Sequence, residues 1–182
     1  MEIRKLVPTD VERLTAFLRE IPEDDRTFFK QDLSDPETIA AAVRETHGLW
    51  LVALERPGGS GEPRIIGYVR VLPGTGLSSH VAEIRLVVAP AHRRHGLGRA
   101  LAHRALVDSV RELRLRKLFV EVAAEQEALI RMFRKLGFTA EAILRDHLRD
   151  RRGTMRDLLL LCHFVEENWS ALAGLGIDRE VS

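Results

Sequence analysis

The residue types that could do chemistry are concentrated in one turn, His92 to Arg99, which reads HRRHGLGR. An apolar, β-branched stretch, Val81 to Ala89, precedes it and predicts a strand, which Pro90 ends because proline has no N–H to donate. An amphipathic helix follows the turn. The dipole and the unpaired N–H groups of a helix N-terminus attract anions, and Gly96 and Gly98 let the backbone approach one closely. We therefore predict a site for a diphosphate-like ligand.

Two familiar phosphate-binding patterns do not fit this turn. A P-loop requires Lys and then Ser or Thr after the glycines, and Leu97-Gly98-Arg99-Ala100 lacks both. A Rossmann fingerprint requires a third Gly or Ala three residues after the second glycine, where this chain has Leu101. An ordinary strand-to-helix turn that binds nothing is the alternative.

The turn resembles a different signature. Arg93-x-x-Gly96-x-Gly98, preceded by Val88-Ala89-Pro90, is similar to the acyl-CoA-binding motif Arg/Gln-x-x-Gly-x-Gly/Ala of the GNAT superfamily of N-acyltransferases. A second resemblance is Leu136-Gly137-Phe138, where members often have Tyr-x-x-Leu-Gly-Phe. The predicted order of elements is strand, two helices, three strands, helix, strand, helix and two strands. That is the GNAT order over nearly the whole chain.

This resemblance implies an α/β (α+β) fold, with a central mixed, mostly antiparallel sheet and helices on both faces. Acetyl-CoA would lie where the central strand splays from the strand at 118–123, a separation expected at Pro90. The backbone of the central strand would pair with the pantetheine arm, the turn would hold the pyrophosphate, and a glutamine amide would assist. The residues assigned to the cofactor are Leu86, Val87, Val88, Arg93, Arg94, His95, Gly96, Leu97, Gly98, Arg99 and Gln126.

The chemistry that the resemblance implies is direct attack of a primary amine on the thioester. An amine with a pKa of about 10.4 is almost entirely protonated at pH 7, and freeing it costs about 4.6 kcal/mol. A general base lowers that cost. Glu121 matches the strand glutamate of members that acetylate protein N-termini, and Glu83 lies near the base of histone-type members. Ion pairs within the sheet are the alternative role, and Glu83 can pair with Arg85 on its own strand face.

The chain departs from the family pattern at Phe133, where many members have the tyrosine that protonates the leaving thiolate of CoA. Phenylalanine has no proton to donate. Tyr68 is the only tyrosine, and its place in an apolar strand favours the core. Two hypotheses of different class follow: an acetyl-CoA-dependent N-acetyltransferase, and a catalytically weak CoA-binding sensor or regulatory module.

Composition bounds the partners and the location. The 182 residues are 45% apolar and 30% charged, with a net charge of +1, which argues against a nucleic-acid partner even at the basic cluster 111–117. No apolar run reaches membrane-spanning length, and Cys162 is single, so we expect a cytoplasmic protein. His92 and His95 share no ligand spacing with Cys or carboxylates, so no metal is expected. The resemblance adds a small-molecule or peptide amine as acceptor, and a homodimer.

The other patterns predict one domain, residues 1–182, with 165–182 as a C-terminal helical extension. Thr9 to Glu12 reads as a capping box that opens a helix, and Asp35-Pro36 as the start of a second helix to about Glu45. The acidic residues between these two helices form either a solvated loop or a surface that favours a cationic amine. They are Glu23, Asp24, Asp25, Asp32 and Asp35. The remaining predictions are strands at 2–7, 49–55, 64–72, 138–144 and 157–164, helices at 125–136 and 166–175, and a charged hairpin tip at 145–153.

Overall fold

The chain forms a seven-stranded sheet with helices on both faces, in a computed structural model that describes residues 1–26, 37, 39–41, 48–150 and 152–165. The strands are β1 Glu2–Lys5, β2 Leu49–Glu55, β3 Arg64–Pro73, β4 Val81–Val88, β5 Lys117–Ala123, β6 Thr139–Arg149 and β7 Met155–Phe164. The helices are α1 Val11–Glu20, α2 Glu23–Arg26, α3 Leu97–Leu113 and α4 Glu127–Arg134. Residues 37 and 39–41 are also helical, within the predicted helix at 35–45; its other residues, and the predicted helix at 166–175, lie outside the described residues.

The strand order across the sheet is β1-β2-β3-β4-β5-β7-β6. Neighbouring strands are antiparallel, except that β4 and β5 are parallel. The helix α3 connects that pair, since parallel strands need a long crossover connection. The expected mixed, mostly antiparallel sheet with helices on both faces is therefore confirmed.

Strand side chains alternate between two hydrophobic cores, one on each face of the sheet. Leu51 and Ala53 of β2 belong to the core that α3 and α4 cover, and we call this face the α3 side. Trp50 and Val52 belong to the opposite core, which α1 covers, and we call that face the α1 side. Each helix layer thus removes one apolar face of the sheet from water.

On β4 the same alternation separates apolar residues from charged ones. Ala82 and Ile84 are fully buried in the core of the α3 side. Glu83 and Arg85 therefore point to the α1 side. The central strand consequently presents charged side chains on one face only.

The 3₁₀ turn that leads into α1 contains Asp10, whose carboxylate is buried. It accepts hydrogen bonds from the Val7 N–H at 3.1 Å and from Arg4 Nη1 and Nη2 at 2.6 and 2.9 Å. The Arg4 guanidinium holds the pKa of this carboxyl below its usual range. The capping box predicted on Thr9 is wrong, because Thr9 lies inside a 3₁₀ turn and Asp10 is the N-cap.

The hairpin of β6 and β7 is longer than the sequence predicts. The charged residues 145–149 belong to β6, and pairing with β7 resumes at Leu148 after a register shift that begins at Leu144. The turn follows Asp150, whose carboxylate accepts the N–H groups of Arg152 and Thr154 at 2.9 Å each. The hairpin tip predicted at 145–153 is therefore wrong over its first five residues.

Candidate functional site

The sheet opens between β4 and β5. Their parallel ladder has three residue pairs and ends where Glu83 pairs with Phe119. Beyond that point β4 stays paired with β3 as far as Val88, and β5 stays paired with β7 as far as Ala123. We call the space between the diverging strands the β4–β5 opening. The expected separation is present, but its expected position at Pro90 is wrong. After Glu83 on β4 and Phe119 on β5, each strand stays with its antiparallel partner and no longer pairs with the other.

Backbone groups of β4 face this opening. The Ala89 N–H donates to the Ile66 carbonyl on β3 at 2.9 Å, and successive strand residues direct their N–H and C=O groups to alternate edges. Leu86 and Val88 therefore direct theirs toward the opening, whereas Val87 directs its own toward β3. The strand edge available to a ligand thus consists of Leu86 and Val88, without the backbone of Val87.

The turn after β4 has two residues in the left-handed region of backbone conformation. Arg94 and Gly96 have positive φ angles of 63° and 84°, and α3 begins at the next residue, Leu97. Positive φ angles within a turn gather successive N–H groups into a concave nest that binds anions. The first N–H groups of α3 lack partners within the helix and point the same way.

The two glycines of the turn have different surroundings. A Cβ on Gly96 would meet no atom within 4 Å, but the φ of +84° there favours glycine. A Cβ on Gly98 would lie 3.4 Å from the Met132 Sδ and 3.5 Å from a Leu86 Cδ. A Cβ at position 98 would therefore fit at ordinary contact distances against β4 and α4, whereas position 96 favours glycine for its backbone conformation.

The side chains of the turn divide into two groups. His92 contacts Glu55 at the end of β2, with 3.0 Å between Nε2 and the carboxylate. Arg93 donates from Nε to the Val88 carbonyl at 3.0 Å and from Nη2 to Asp25 of α2 at 2.7 Å. The guanidinium of Arg93, expected beside the anion, is thus held against β4 and α2. The second group is exposed and comprises Arg94, His95 and Arg99.

Both carboxylates considered as general bases lie on the α1 side, at the opening. Glu83 belongs to the last ladder pair, and its carboxylate accepts from Arg85 Nη2 at 2.9 Å. The ion pair that the sequence suggested for Glu83 is therefore present. Glu121 is half-buried and pairs with Leu160 of β7, two residues beyond the last ladder residue of β5. Glu121 is thus part of one wall of the opening.

Phe133, at the position of the family's proton-donating tyrosine, and Tyr68 are both core residues. Phe133 is fully buried on the α3 side, with its ring centroid 5.0 Å from that of Phe138. Tyr68 is 2% exposed and stacks on Trp50 at 5.9 Å, and burial raises the pKa of Tyr68 to about 12. So high a pKa makes a poor general acid near neutral pH. The expectation that Tyr68 belongs to the core is confirmed.

Gln126 lies at the turn between β5 and α4. Its side-chain Oε1 accepts from the Ala123 N–H at 3.3 Å, and Gln126 is the N-cap of α4. This side-chain bond holds the end of β5 where it leaves the opening. Contact of the Gln126 amide with a cofactor stays a prediction.

Sequence reasoning missed two anchors of the turn. Asp25 contacts Arg93 and is 68 residues away from it in the sequence. Glu55 contacts His92 and is 37 residues away from it. The acidic run at 23–25 was the single local signal, and it did not indicate a partner. Contacts over such separations follow from the tertiary fold.

Other kinds of site have little support within the described ranges. Those residues contain no group of three or more His, Cys, Asp or Glu side chains placed to hold a metal ion. None of the helices they form is long and apolar enough to cross a membrane. Burial raises the pKa of the Cys162 thiol to about 12, so this residue is a poor nucleophile.

The opening, the N–H-lined turn and the carboxylates on one face fit acyl-CoA chemistry. A sequence model described as the acetyltransferase (GNAT) family matches residues 15–138. The chain belongs to this family. It is a member of an acetyltransferase family, and the matched residues include both walls of the β4–β5 opening and the whole turn.

Solved structures of other GNAT proteins have the same fold. A putative acetyltransferase from Salmonella typhimurium, solved with acetyl-CoA, has a TM-score of 0.75 at 22% identity, over 91% of this chain and 94% of that one. The ribosomal-protein-alanine N-acetyltransferase from Brucella melitensis has a TM-score of 0.71 at 24% identity, over 90% and 99%. At these identities the likeness concerns the fold alone.

A curated relative is similar over a shorter region. The spermidine N(1)-acetyltransferase of Vibrio cholerae is 35% identical over 63 residues, which are 35% of this chain and 36% of the relative. The match thus spans about a third of the relative's length. It supports the family assignment and leaves the acceptor of this GNAT protein to be found by experiment.

Alanine at positions 96 and 98 should have different effects. Gly96→Ala places a Cβ in a left-handed conformation, which we expect to cost about 1 kcal/mol of stability and to weaken acetyl-CoA binding roughly fivefold. The Cβ of Gly98→Ala would lie at ordinary contact distances from its neighbours. The free energy of unfolding should therefore stay close to the wild-type value, and the acetyl-CoA Kd should stay within about twofold of it. Urea denaturation and calorimetric titration with acetyl-CoA measure both quantities. Equal effects of the two substitutions would contradict the separate roles.

Proposed function

We propose that this acetyltransferase moves an acetyl group from acetyl-CoA to a primary amine by direct attack within a ternary complex. The observation that carries the proposal is the β4–β5 opening, where β4 has an edge without a strand partner among the described residues. That edge leads directly into a turn lined with N–H groups. Amides of a pantetheine arm can pair with a strand edge, and a pyrophosphate needs N–H donors. The opening and the turn together therefore suit acetyl-CoA.

The proposed cofactor contacts are mainly backbone contacts. Leu86 supplies an N–H and a C=O of the strand edge, and Val88 supplies its N–H, because the Val88 carbonyl already accepts from Arg93. The amides from Arg94 to Arg99 supply donors for the pyrophosphate, and the exposed arginines of that range add positive charge. The Val88 N–H also faces the thioester oxygen, where negative charge develops during attack.

The proposed general base is Glu121, with Glu83 as the second choice. Glu83 belongs to the last closed pair of the ladder and is already engaged by Arg85 at 2.9 Å. Glu121 lies two residues further along β5, on the wall of the opening and on the same face of the sheet. A carboxylate there can take the proton of an incoming ammonium, directly or through water.

The acceptor in this proposal is a small-molecule or peptide amine that enters from the α1 side, where both carboxylates lie. Carboxylates attract a cationic amine before it is deprotonated. The relative from Vibrio cholerae is named for spermidine, so polyamines belong among the first amines to test. We also propose a cytoplasmic location without nucleic-acid or membrane partners, which cell fractionation can test.

A second candidate function is a CoA-binding sensor or regulatory module with little or no turnover. The observation that favours it is Phe133, which is fully buried and cannot protonate a leaving thiolate. A sensor would bind acetyl-CoA through the same opening and turn. It would release no CoA thiol with any amine.

A homodimer is also part of the proposal. One of the two outermost strands of the described sheet, β6, has an edge without a strand partner among the described residues, and its apolar Ile143 and Leu144 are 64% and 38% exposed. Exposed apolar residues along a strand edge favour pairing with another strand. Sedimentation equilibrium at micromolar concentration tests the homodimer, because a monomeric mass would refute it.

Thiol release from acetyl-CoA with a panel of amines tests the function. The panel contains spermidine, an amino acid, an aminoglycoside, a lysine peptide and a peptide with a free N-terminus. We expect turnover with at least one amine, and an acetyl-CoA affinity that falls roughly tenfold or more in the Arg94→Glu, Arg99→Glu double variant, because both charges then repel the pyrophosphate. Arg111→Glu, at the exposed end of α3, is the control and should change neither quantity.

The outcomes of this assay separate the two candidates. If the folded wild-type protein binds acetyl-CoA but releases no thiol with any amine, the protein is a CoA-binding sensor. A folded wild type that does not bind acetyl-CoA at all contradicts both functions.

Substitution of the two carboxylates tests the choice of base. Glu121→Gln should lower kcat roughly 100-fold near pH 7, and Glu83→Gln less than tenfold, with acetyl-CoA affinity unchanged in both. The deficit of Glu121→Gln should shrink as the pH rises toward the pKa of the amine, because more acceptor is then neutral. Profiles of kcat against pH measure this. A larger and pH-sensitive loss in Glu83→Gln would assign the base to Glu83 instead.

A further inference from the structure

We propose that Arg93 is a positioning residue that ties the acceptor side of the site to the acyl-CoA turn, and that its charge does not bind the pyrophosphate. The inference rests on the proposed function, because it concerns how the acceptor side of that site is held. The Arg93 guanidinium has two partners on different elements. Nε lies 3.0 Å from the Val88 carbonyl, and Nη2 lies 2.7 Å from the Asp25 carboxylate.

The first partner belongs to the cofactor edge. Val88 is the last residue of β4, and its backbone groups face the β4–β5 opening. The bond from Arg93 engages the Val88 carbonyl and so fixes the chain where it leaves the sheet. The Val88 N–H remains available to a ligand in the opening.

The second partner belongs to the acceptor side. Asp25 lies in α2, which follows α1, and α1 covers the α1 side where Glu83 and Glu121 point. The backbone of Asp25 is itself held, since its N–H donates to the Pro22 carbonyl at 3.1 Å. A displacement of the turn is therefore transmitted to α2 through one side chain.

The charges at this contact argue against a role in phosphate binding. The Asp25 carboxylate offsets the positive charge of Arg93, and two of its N–H donors are already used. The neighbouring Arg94 is exposed beside the nest and carries a charge directed at solvent. The two adjacent arginines should therefore respond differently to the same substitution.

Glutamine at position 93 separates the two contacts of the arginine. A glutamine amide can still donate to a backbone carbonyl such as that of Val88, but it carries no charge for Asp25. Asp25→Asn removes the same ion pair from the other end. The contact is partly exposed, with 41% and 35% of the side chains accessible, so its effect should be modest.

The experiment compares Arg93→Gln, Asp25→Asn, their double variant and Arg94→Gln. We expect Arg93→Gln and Asp25→Asn each to raise the acceptor KM about three- to fivefold, to leave kcat and the acetyl-CoA Kd within about twofold, and to add nothing further in the double variant. Amide hydrogen exchange in residues 21–26 should become faster in both single variants without any ligand. Arg94→Gln should weaken acetyl-CoA binding and leave that exchange unchanged.

Two results would overturn the proposal. One is that Arg93→Gln weakens acetyl-CoA as much as Arg94→Gln does, which would place the Arg93 charge on the pyrophosphate. The other is that exchange in residues 21–26 does not change in Arg93→Gln and Asp25→Asn. Hydrogen exchange requires no turnover. If the protein acetylated no amine, the proposed function would be refuted, and the exchange experiment would still decide the role of Arg93.

Discussion

The early end of the parallel ladder between β4 and β5 is the constraint on which the rest of the site depends. Parallel pairing is slightly less stable per residue than antiparallel pairing. Here three parallel pairs compete with seven antiparallel pairs between β3 and β4 and seven between β5 and β7. The sheet itself therefore holds the opening, without a ligand. The cost is a strand edge at which the N–H and C=O of Leu86 and the N–H of Val88 require water or a ligand as partner, whereas the Val88 carbonyl accepts from Arg93.

The two faces of the sheet at this opening prepare it for two different substrates. On the α3 side, Leu86 packs against the apolar core and lies beside Gly98 of α3. On the α1 side, Glu83 and Glu121 flank the opening with carboxylates. A thioester lying in the plane of the sheet would therefore have an apolar layer on one face and charged groups on the other, where Glu83 is paired with Arg85. An amine nucleophile is consequently favoured from the α1 side, opposite to α3.

The parts of this site that are local in sequence were predictable, and the parts that depend on distant partners were not. Pro90, Gly96 and the helix that follows act through their own backbone chemistry, so their pattern indicated the turn correctly. The direction of Arg93 depends on Asp25, which is 68 residues away. The position of the opening depends on the relative extents of three ladders, β3–β4, β4–β5 and β5–β7. The residues of one strand do not determine those extents, so the expectation that the strands separate at Pro90 was wrong. The order of helices and strands along the chain was predictable because each element has its own periodicity, whereas the mixed sheet was expected from the family resemblance.

The burial of Phe133 becomes understandable when the two proton transfers of the reaction are compared. At pH 7, deprotonation of a lysine-like amine costs about 4.6 kcal/mol, whereas a thiolate whose conjugate acid has a pKa of about 8.5 is disfavoured by only about 2 kcal/mol. Loss of the acid is thus less damaging than loss of the base. Phe133 packs against Phe138 in the core, where a phenol would have to bury its hydroxyl. A CoA sensor needs neither acid nor base, so the carboxylates kept at the opening favour the enzyme.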